Sequence, residues 1–452
     1  MRVELDIPLS LREISYVTKS KSAPRDKYIS AISTDTREAL YNDLFVALTG
    51  ENESGEKFVD DAIRKGCYVL STKDADGIIT VSDTQEALLN LAEYYKSKLG
   101  LISTVAVTGS VGKSTTVKFL KKILGEKYKV HTPKGNFNNH LGLPLTIFST
   151  PKDADILVAE LGMNHKNEIS RLSRCVRPNI GVITSVGTAH IGNLGSRESI
   201  ALAKLEILDG MDNGLLFLPW NEPLLSNIKN AFYVGRNTSL SSFSLNDSKN
   251  GKYSLHSEES DIKELRFFDS REHLLVNLAF AISVATALGL TEEEIIKGVG
   301  AISEEDIRQR FISLDDFTIF DDSYNASVES ISADLKFISS MRRPTGAFLG
   351  DVLELGDSAK DIHEQIGRVA AGLGIGHLYL FGAYAEDVWR GAVKSGMNKD
   401  DIFVNTDVGS PEISINQILS NHSKNEIILF KASHKLRLDK IADLIKKGSK
   451  DD

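Results

Sequence analysis

The sequence predicts an α/β protein of three domains: a small N-terminal α/β domain, a central domain on a parallel sheet, and a C-terminal doubly wound domain. Three observations predict this. The chain has 452 residues, and domains usually run ~100–200 residues. Short apolar runs alternate with amphipathic stretches through the last two thirds, the pattern of parallel strands joined by helices. Those runs are apolar throughout, as when helices cover both faces of a sheet. The domains are expected at 1–82, 83–311 and 312–452.

In the first domain "LFVAL" reads as a strand beside a polar loop, and "GEKFVDDAIRKGCYVLST" as a helix and then a strand. The middle third opens with "TQEALLNLAEYYKSKLG", a helix by its apolar spacing. "STVAVT" is a strand and "KSTTVKFLKKIL" a helix. "DILVAEL", "NIGVITSV" and "GLLFL" are strands, the second running on through "GVITSVGTAH" to end near His190. "SRESIALAKLEILDGM" and "HLLVNLAFAISVATALG" are helices. In the last third "FTIFD", "GAFLGD", "HLYLFG", "DIFVN" and "EIILFKAS" are strands. "SISADLKFISSM", "DIHEQIGRVAAGLG", "AEDVWRGAVKSG" and "RLDKIADLIKK" are the helices between or after them.

Composition narrows the function classes. A net charge of −9 argues against general binding of nucleic acid or anionic membranes. The most apolar stretch, residues 274–290, is shorter than the ~20 residues of a membrane span and carries Asn277, Ser283 and Thr286. A buried core helix is expected there. Cys67 and Cys175 are the only cysteines, which fits a reducing compartment. The N-terminus lacks an export pattern, so the cytoplasm is the expected location. No long exposed heptad pattern asks for a partner, and a monomer is expected.

The chemistry concentrates where strands end, as expected for ligands of doubly wound sheets. "TGSVGKSTT", residues 108–116, joins a strand to a helix. Gly109 and Gly112 let backbone N–H groups turn inward around Ser110 and Thr115 towards phosphate oxygens. Lys113 would reach the β- and γ-phosphates, and the Ser114 hydroxyl would hold Mg²⁺. Val107 stands where the common pattern has its first glycine, which argues against a standard nucleotide hydrolase. Glu160 closes an apolar strand, and its oxygens suit Mg²⁺. His190 is a softer ligand in a loop. Lys204 lies on the helical stripe of Ile200, Ala203, Ile207 and Leu208. It would either snorkel to water or, if buried, lose its proton. A neutral amine can take up CO₂ as a carbamate, an anion able to help hold Mg²⁺.

These residues together resemble the ATP-dependent Mur ligases along nearly the whole chain. The likeness is greatest to those that add D-alanyl-D-alanine to UDP-N-acetylmuramoyl-tripeptide. It implies a UDP-sugar-binding N-terminal domain, a central ATPase domain and a Rossmann-like C-terminal domain that takes the dipeptide. "TGSVGKSTT" resembles the family's shortened phosphate loop. "GNFNNHLGLPLT" implies that Asn136, Asn138 and Asn139 lie near the reacting groups. "AELGMNH" and "TSVGTAHIGNLGS" imply metal-binding Glu160 and His190, and "ALAKLEI" a carbamylated Lys204. The resemblance makes Lys113, Lys204, Glu160, His190 and Asn138 catalytic. Asn277 would contact adenine, Asp322 the ribose with Asn325 in the same motif, and Arg310 the γ-phosphate, with Arg308 two positions away. "STDTRE" implies that Asp35, Thr36 and Arg37 contact the UDP-sugar. "GDVLELG" with the downstream His363 resembles the D-alanyl-D-alanine-adding type. "KASHKLRLDKI" departs from the usual Gly-Ser-Arg stretch at Ala432 and His434, and "NASVES" lacks a frequent Pro. An acyl phosphate must be kept from water, so a third domain hinged near residues 310–316 is expected to close. The sister ligase that adds the third amino acid, a folylpolyglutamate synthetase and a nucleotide-dependent switch are the competing readings.

Overall fold

Three sheets organise the chain in the computed structural model, which describes residues 1–20, 27–50, 54–75, 78–248, 251–258 and 261–448. The N-terminal sheet runs β1 (Arg2–Ser10), β2 (Tyr28–Ser33), β3 (Leu44–Val46), β4 (Tyr68–Ser71), β5 (Ile78–Thr80) in spatial order. Its first pair is antiparallel and the rest are parallel. Helix Val59–Arg64 makes the crossover from β3 to β4. Residues 51–53 of the predicted N-terminal block lie outside the described residues.

Helix Thr84–Lys98 follows. The Asp83 carboxylate caps it by accepting from the N–H groups of Gln85 and Glu86 at 2.8 and 3.0 Å, and Lys96 and Lys98 sit at its negative end. The central sheet then forms from β6 (Ser103–Thr108), β7 (Val130–His131), β8 (Ile156–Glu160), β9 (Ile180–Ile183), β10 (Leu215–Pro219), β11 (Ala231–Arg236), β12 (Phe243–Asp247), β13 (Tyr253–Ser257) and β14 (Asp261–Leu265). Their spatial order is β14-β13-β12-β11-β10-β9-β6-β8-β7. β6 lies between β9 and β8, parallel to both, with all six residues buried. The sheet is mixed rather than parallel throughout, because β13 is antiparallel to both β12 and β14. "FSLND", "YSLHS" and "DIKEL" are polar enough to read as loop, and their burial is partial.

The apolar stretch near 274–290 is a buried core helix, Glu272–Ala287. Among the described residues no helix is long and apolar enough to cross a membrane. The Lys204 stripe needs one correction. The α-helix Arg197–Leu205 tightens into a 3₁₀ turn at Glu206–Gly210. Ile200, Ala203 and Ile207 are buried, but the changed rotation per residue leaves Leu208 41% exposed.

The C-terminal sheet has the order β15-β16-β20-β17-β18-β19: β15 (Arg310–Ser313), β16 (Phe317–Asp321), β17 (Thr345–Gly350), β18 (His377–Phe381), β19 (Ile402–Asn405), β20 (Glu426–Lys431). Only β15, at one edge, runs antiparallel to its neighbour. Along β17, Ala347 and Leu349 pack into one core and Phe348 into the other, so both faces are covered.

The chain divides into two compact units. One comprises Met1–Thr184, Leu202–Phe267 and Val276–Ala301 and holds the first two sheets. The other comprises Ser185–Ala201, Phe268–Leu275 and Ile302–Asp452 and holds the third.

Candidate active site

In the first unit the phosphate loop leaves β6 at Thr108. Gly109 and Gly112 have φ of 150° and 87°, and Gly112 caps helix Lys113–Leu124 without a side chain. A Cβ on Gly112 would lie 2.4 Å from Asn277 Oδ1. Only glycine therefore suits both the left-handed turn and the buried amide beside it. The Thr184 hydroxyl ties the loop to β9 by donating to the Val111 carbonyl at 2.6 Å. The Lys113 ammonium donates to the Gly109 carbonyl at 2.7 Å, folded over the cradle it would neutralise.

Glu160 ends β8 opposite Val107 on β6, which puts its carboxylate beside the start of the loop helix. It is 4% exposed. The Ser114 hydroxyl donates to Oε2 at 2.6 Å and the Asn138 amide to Oε1 at 2.9 Å. The Asn138 carbonyl accepts from Gly162 N–H at 2.7 Å, locking the Asn-rich turn to the strand end. A hydroxyl and a buried carboxylate are hard oxygen donors that fit Mg²⁺. The described residues hold no group of three acidic, His or Cys side chains around a common point. Mg²⁺ usually keeps several waters and takes phosphate oxygens of its substrate as other ligands.

Lys204 is 2% exposed. Burial, and then the like charge of Lys113, push its ammonium well below the usual lysine range. The side chain is therefore buried and does not snorkel. Asn277 is buried, and its Oδ1 accepts from the Thr116 hydroxyl at 3.3 Å. The Asn139 side-chain oxygen accepts from Leu141 and Gly142 N–H at the start of helix Gly142–Phe148, while Asn136 is exposed. Asp35 and Arg37 pair with one another at 2.6 Å, and that contact holds the Asp35 carboxyl below its usual range. Thr36 is buried between them.

β9 ends at Ile183, within the first unit, and His190 lies in the second, so it is not a strand-end residue. It heads the short helix Ile191–Leu194 with φ +65°. Its Nδ1 pairs with the Glu354 carboxylate. Asp322, just past β16, pairs with the Lys431 ammonium and accepts from Gln309 Nε2 at 3.2 Å. Lys431 also meets Asp334 at 2.8 Å, and both are 1% exposed. Two carboxylates thus share one buried cation. Burial and the neighbouring Asp322 push the Asp334 carboxyl up, while Lys431 holds Asp322 down. Arg308 lies 3.7 Å over the Tyr324 ring, and Arg310 and Asn325 are exposed.

Sequence reasoning missed Gln309, Asp334, Lys431 and Glu354. A lysine closing the apolar strand "EIILFK" was the available signal for the buried pair. His363 acts structurally, since Nε2 accepts Val352 N–H at 3.0 Å and Nδ1 donates to the Ala359 carbonyl at 2.6 Å. Burial lowers its affinity for a second proton.

With this geometry in place, likeness to known proteins is informative. Residues 107–283 match the Mur ligase middle domain. The chain is 34% identical over 431 residues to UDP-N-acetylmuramoyl-tripeptide--D-alanyl-D-alanine ligase of Bacillus subtilis, covering 92% of this chain and 93% of that one. It is 30% identical to the ligase of that name from Synechocystis, with 91% of each covered. MurF of Acinetobacter baumannii superposes with a TM-score of 0.87 at 27% identity, covering 98% of this chain and 100% of that one. MurF of Thermotoga maritima, solved with ADP, gives 0.80 at 25% identity over 93% and 98%. The diaminopimelate-adding sister gives 0.56 at 14% identity, a likeness of fold alone. The chain belongs to the Mur ligase family, in its UDP-N-acetylmuramoyl-tripeptide--D-alanyl-D-alanine ligase branch.

Proposed function

We propose that this protein joins D-alanyl-D-alanine to the peptide carboxylate of UDP-N-acetylmuramoyl-tripeptide, driven by ATP, in peptidoglycan precursor synthesis in the cytoplasm. The observation that carries this reading is the likeness, over nine-tenths of the chain, to ligases of that name. The assignment of residues 1–82 to the UDP-sugar, 83–311 to ATP and 312–452 to the dipeptide rests on the same likeness.

A carboxylate and an ammonium in water form a salt, not an amide. The γ-phosphoryl of ATP therefore passes first to the substrate carboxylate oxygen, making an acyl phosphate and ADP. The free amine of the dipeptide then attacks the acyl carbon, the C–O bond to phosphate breaks with its electrons, and the amine proton is lost to solvent. Such a sequence asks little covalent chemistry of the side chains; positioning and charge carry the rate. Backbone N–H groups of residues 109–114 cradle the phosphates and Lys113 offsets their charge. Bound Mg²⁺ supplies further neutralisation as two anions approach. Ser114 and Glu160 would hold it, and Asn138 fixes the Glu160 carboxylate. Lys204, buried and short of a counter-charge among the described residues, is suited to carbamylation, which would add an anion to the same set. In the second unit His190 is assigned to the metal, Asp322 and Asn325 to the ribose and Arg310 to the γ-phosphate. Asn277 is assigned to adenine, Asp35, Thr36 and Arg37 to the UDP-sugar, and Asn136 and Asn139 to the turn that carries Asn138.

The test is phosphate release with each acceptor pair and the product mass measured. Release with UDP-N-acetylmuramoyl-tripeptide plus D-alanyl-D-alanine, with the mass of the amide, is expected. Release only with the dipeptide precursor and a diamino acid would overturn the proposal in favour of the sister ligase.

A further inference from the structure

The "GDVLELG" turn is pinned at successive residues, all within the second unit. The Asp351 carboxylate accepts from Ala383 and Tyr384 N–H at 2.9 and 3.0 Å. Val352 N–H donates to His363 at 3.0 Å and Leu353 N–H to the Ser433 hydroxyl at 2.8 Å. The next residue, Glu354, takes a left-handed φ of +63°, a conformation that side chains seldom adopt without compensation. The compensation is two contacts with the His190 turn. The Glu354 carbonyl accepts from Gly192 N–H at 3.0 Å, and its carboxylate meets His190 Nδ1. Gly192 and Gly356 come so close that a Cβ on Gly192 would lie 2.5 Å from Gly356 N. Two residues before the histidine, the Glu329 carboxylate takes the Thr188 N–H at 2.7 Å. The His190 turn is thus held on both sides, and its imidazole meets the Glu354 carboxylate.

We infer that Glu354 is a positioning residue for His190: its carboxylate accepts the Nδ1–H and leaves Nε2, with its lone pair, as the atom offered to a divalent cation. A carboxylate behind a ligating imidazole fixes the tautomer and raises the ligand's basicity. This rests on the assignment of His190 to the metal site.

The test uses the full-length protein labelled with ¹⁵N-histidine, together with Mn²⁺ titrations followed by EPR in the presence of ADP. His190→Ala identifies the His190 signals. Wild type and Glu354→Gln, which keeps an acceptor, should show the Nδ1–H tautomer. Glu354→Ala should show a mixture and weaken Mn²⁺ binding about tenfold or more. Glu329→Gln, which disturbs the same turn through Thr188, should leave the tautomer unchanged. In the His190→Ala background, Glu354→Ala should cost nothing further. Weakened Mn²⁺ binding by His190→Ala with wild-type binding and tautomer in Glu354→Ala would overturn this inference alone. Wild-type Mn²⁺ binding by His190→Ala would overturn the metal assignment beneath it.

Discussion

Gly112→Ala is a perturbation whose size can be worked from the structure. The new Cβ would stand 2.4 Å from Asn277 Oδ1, against an ordinary contact of about 3.5 Å. The amide must therefore retreat by roughly 1 Å. Asn277 is buried on a core helix, so the retreat breaks its hydrogen bond from Thr116, worth about 1 kcal/mol. The φ of +87° at residue 112 adds about 1–2 kcal/mol for any residue with a Cβ. The expected loss is about 2–3 kcal/mol, a fall in Tm of roughly 5 °C, with a raised KM for ATP because the loop and Asn277 move together. Gly289→Ala is the matched control. Its φ is +76° and its Cβ would meet nothing closer than Lys127 Nζ at 3.9 Å. It should lose only the conformational cost, about 1–2 kcal/mol, with KM for ATP unchanged. Thermal unfolding and initial-rate kinetics of both variants decide the matter. A Gly112→Ala protein no less stable than Gly289→Ala, with wild-type KM for ATP, would refute the claim that residue 112 lacks a side chain to make room for Asn277.

Lys204→Met should abolish ligation yet raise Tm by roughly 2–4 °C in CO₂-free buffer, because it removes a buried amine that gives up hydration and its proton on folding, at a cost of about 1 kcal/mol or more. Because the Lys204 pKa is lowered on folding, the unfolded chain binds the extra proton and wild-type stability rises with pH towards 10.5; the methionine variant should lack that part of the slope in pH-dependent urea melts. Small carboxylic acids should partly restore a Lys204→Ala enzyme in the phosphate-release assay by replacing the lost anion. Asp334 titrates the other way: its pKa is raised on folding, so its stabilising proton is fully present below the unfolded value near 4 and is lost as pH climbs. Asp334→Asn should flatten the decline of the urea midpoint above about pH 4. Lys431→Met, which leaves two buried carboxylates without their cation, should cost about 3–5 kcal/mol in the same melts.

The sequence was most legible where one local signal sufficed. β6, the loop and helix Lys113–Leu124 announce themselves through an apolar run, two glycines and an amphipathic helix. Helical spacing put Lys204 on the apolar stripe but left open whether it snorkels to water or is buried, and the spacing failed at Leu208, where the helix changes its pitch. Strands β12–β14 escaped notice because a half-buried edge carries serines, an asparagine and aspartates that read equally as loop. The partners of the candidate site were hidden for another reason. Glu354 is 164 residues from His190 and Lys431 is 109 from Asp322. No local pattern encodes a contact across such a separation; the topology of the sheets creates it.

Formation of an acyl phosphate before the amine attacks is the central chemical claim, and isotope transfer tests it directly. UDP-N-acetylmuramoyl-tripeptide labelled with ¹⁸O in its reacting carboxylate should, with ATP and D-alanyl-D-alanine, yield phosphate carrying one ¹⁸O per amide formed. Amide product of the correct mass accompanied by unlabelled phosphate would contradict it.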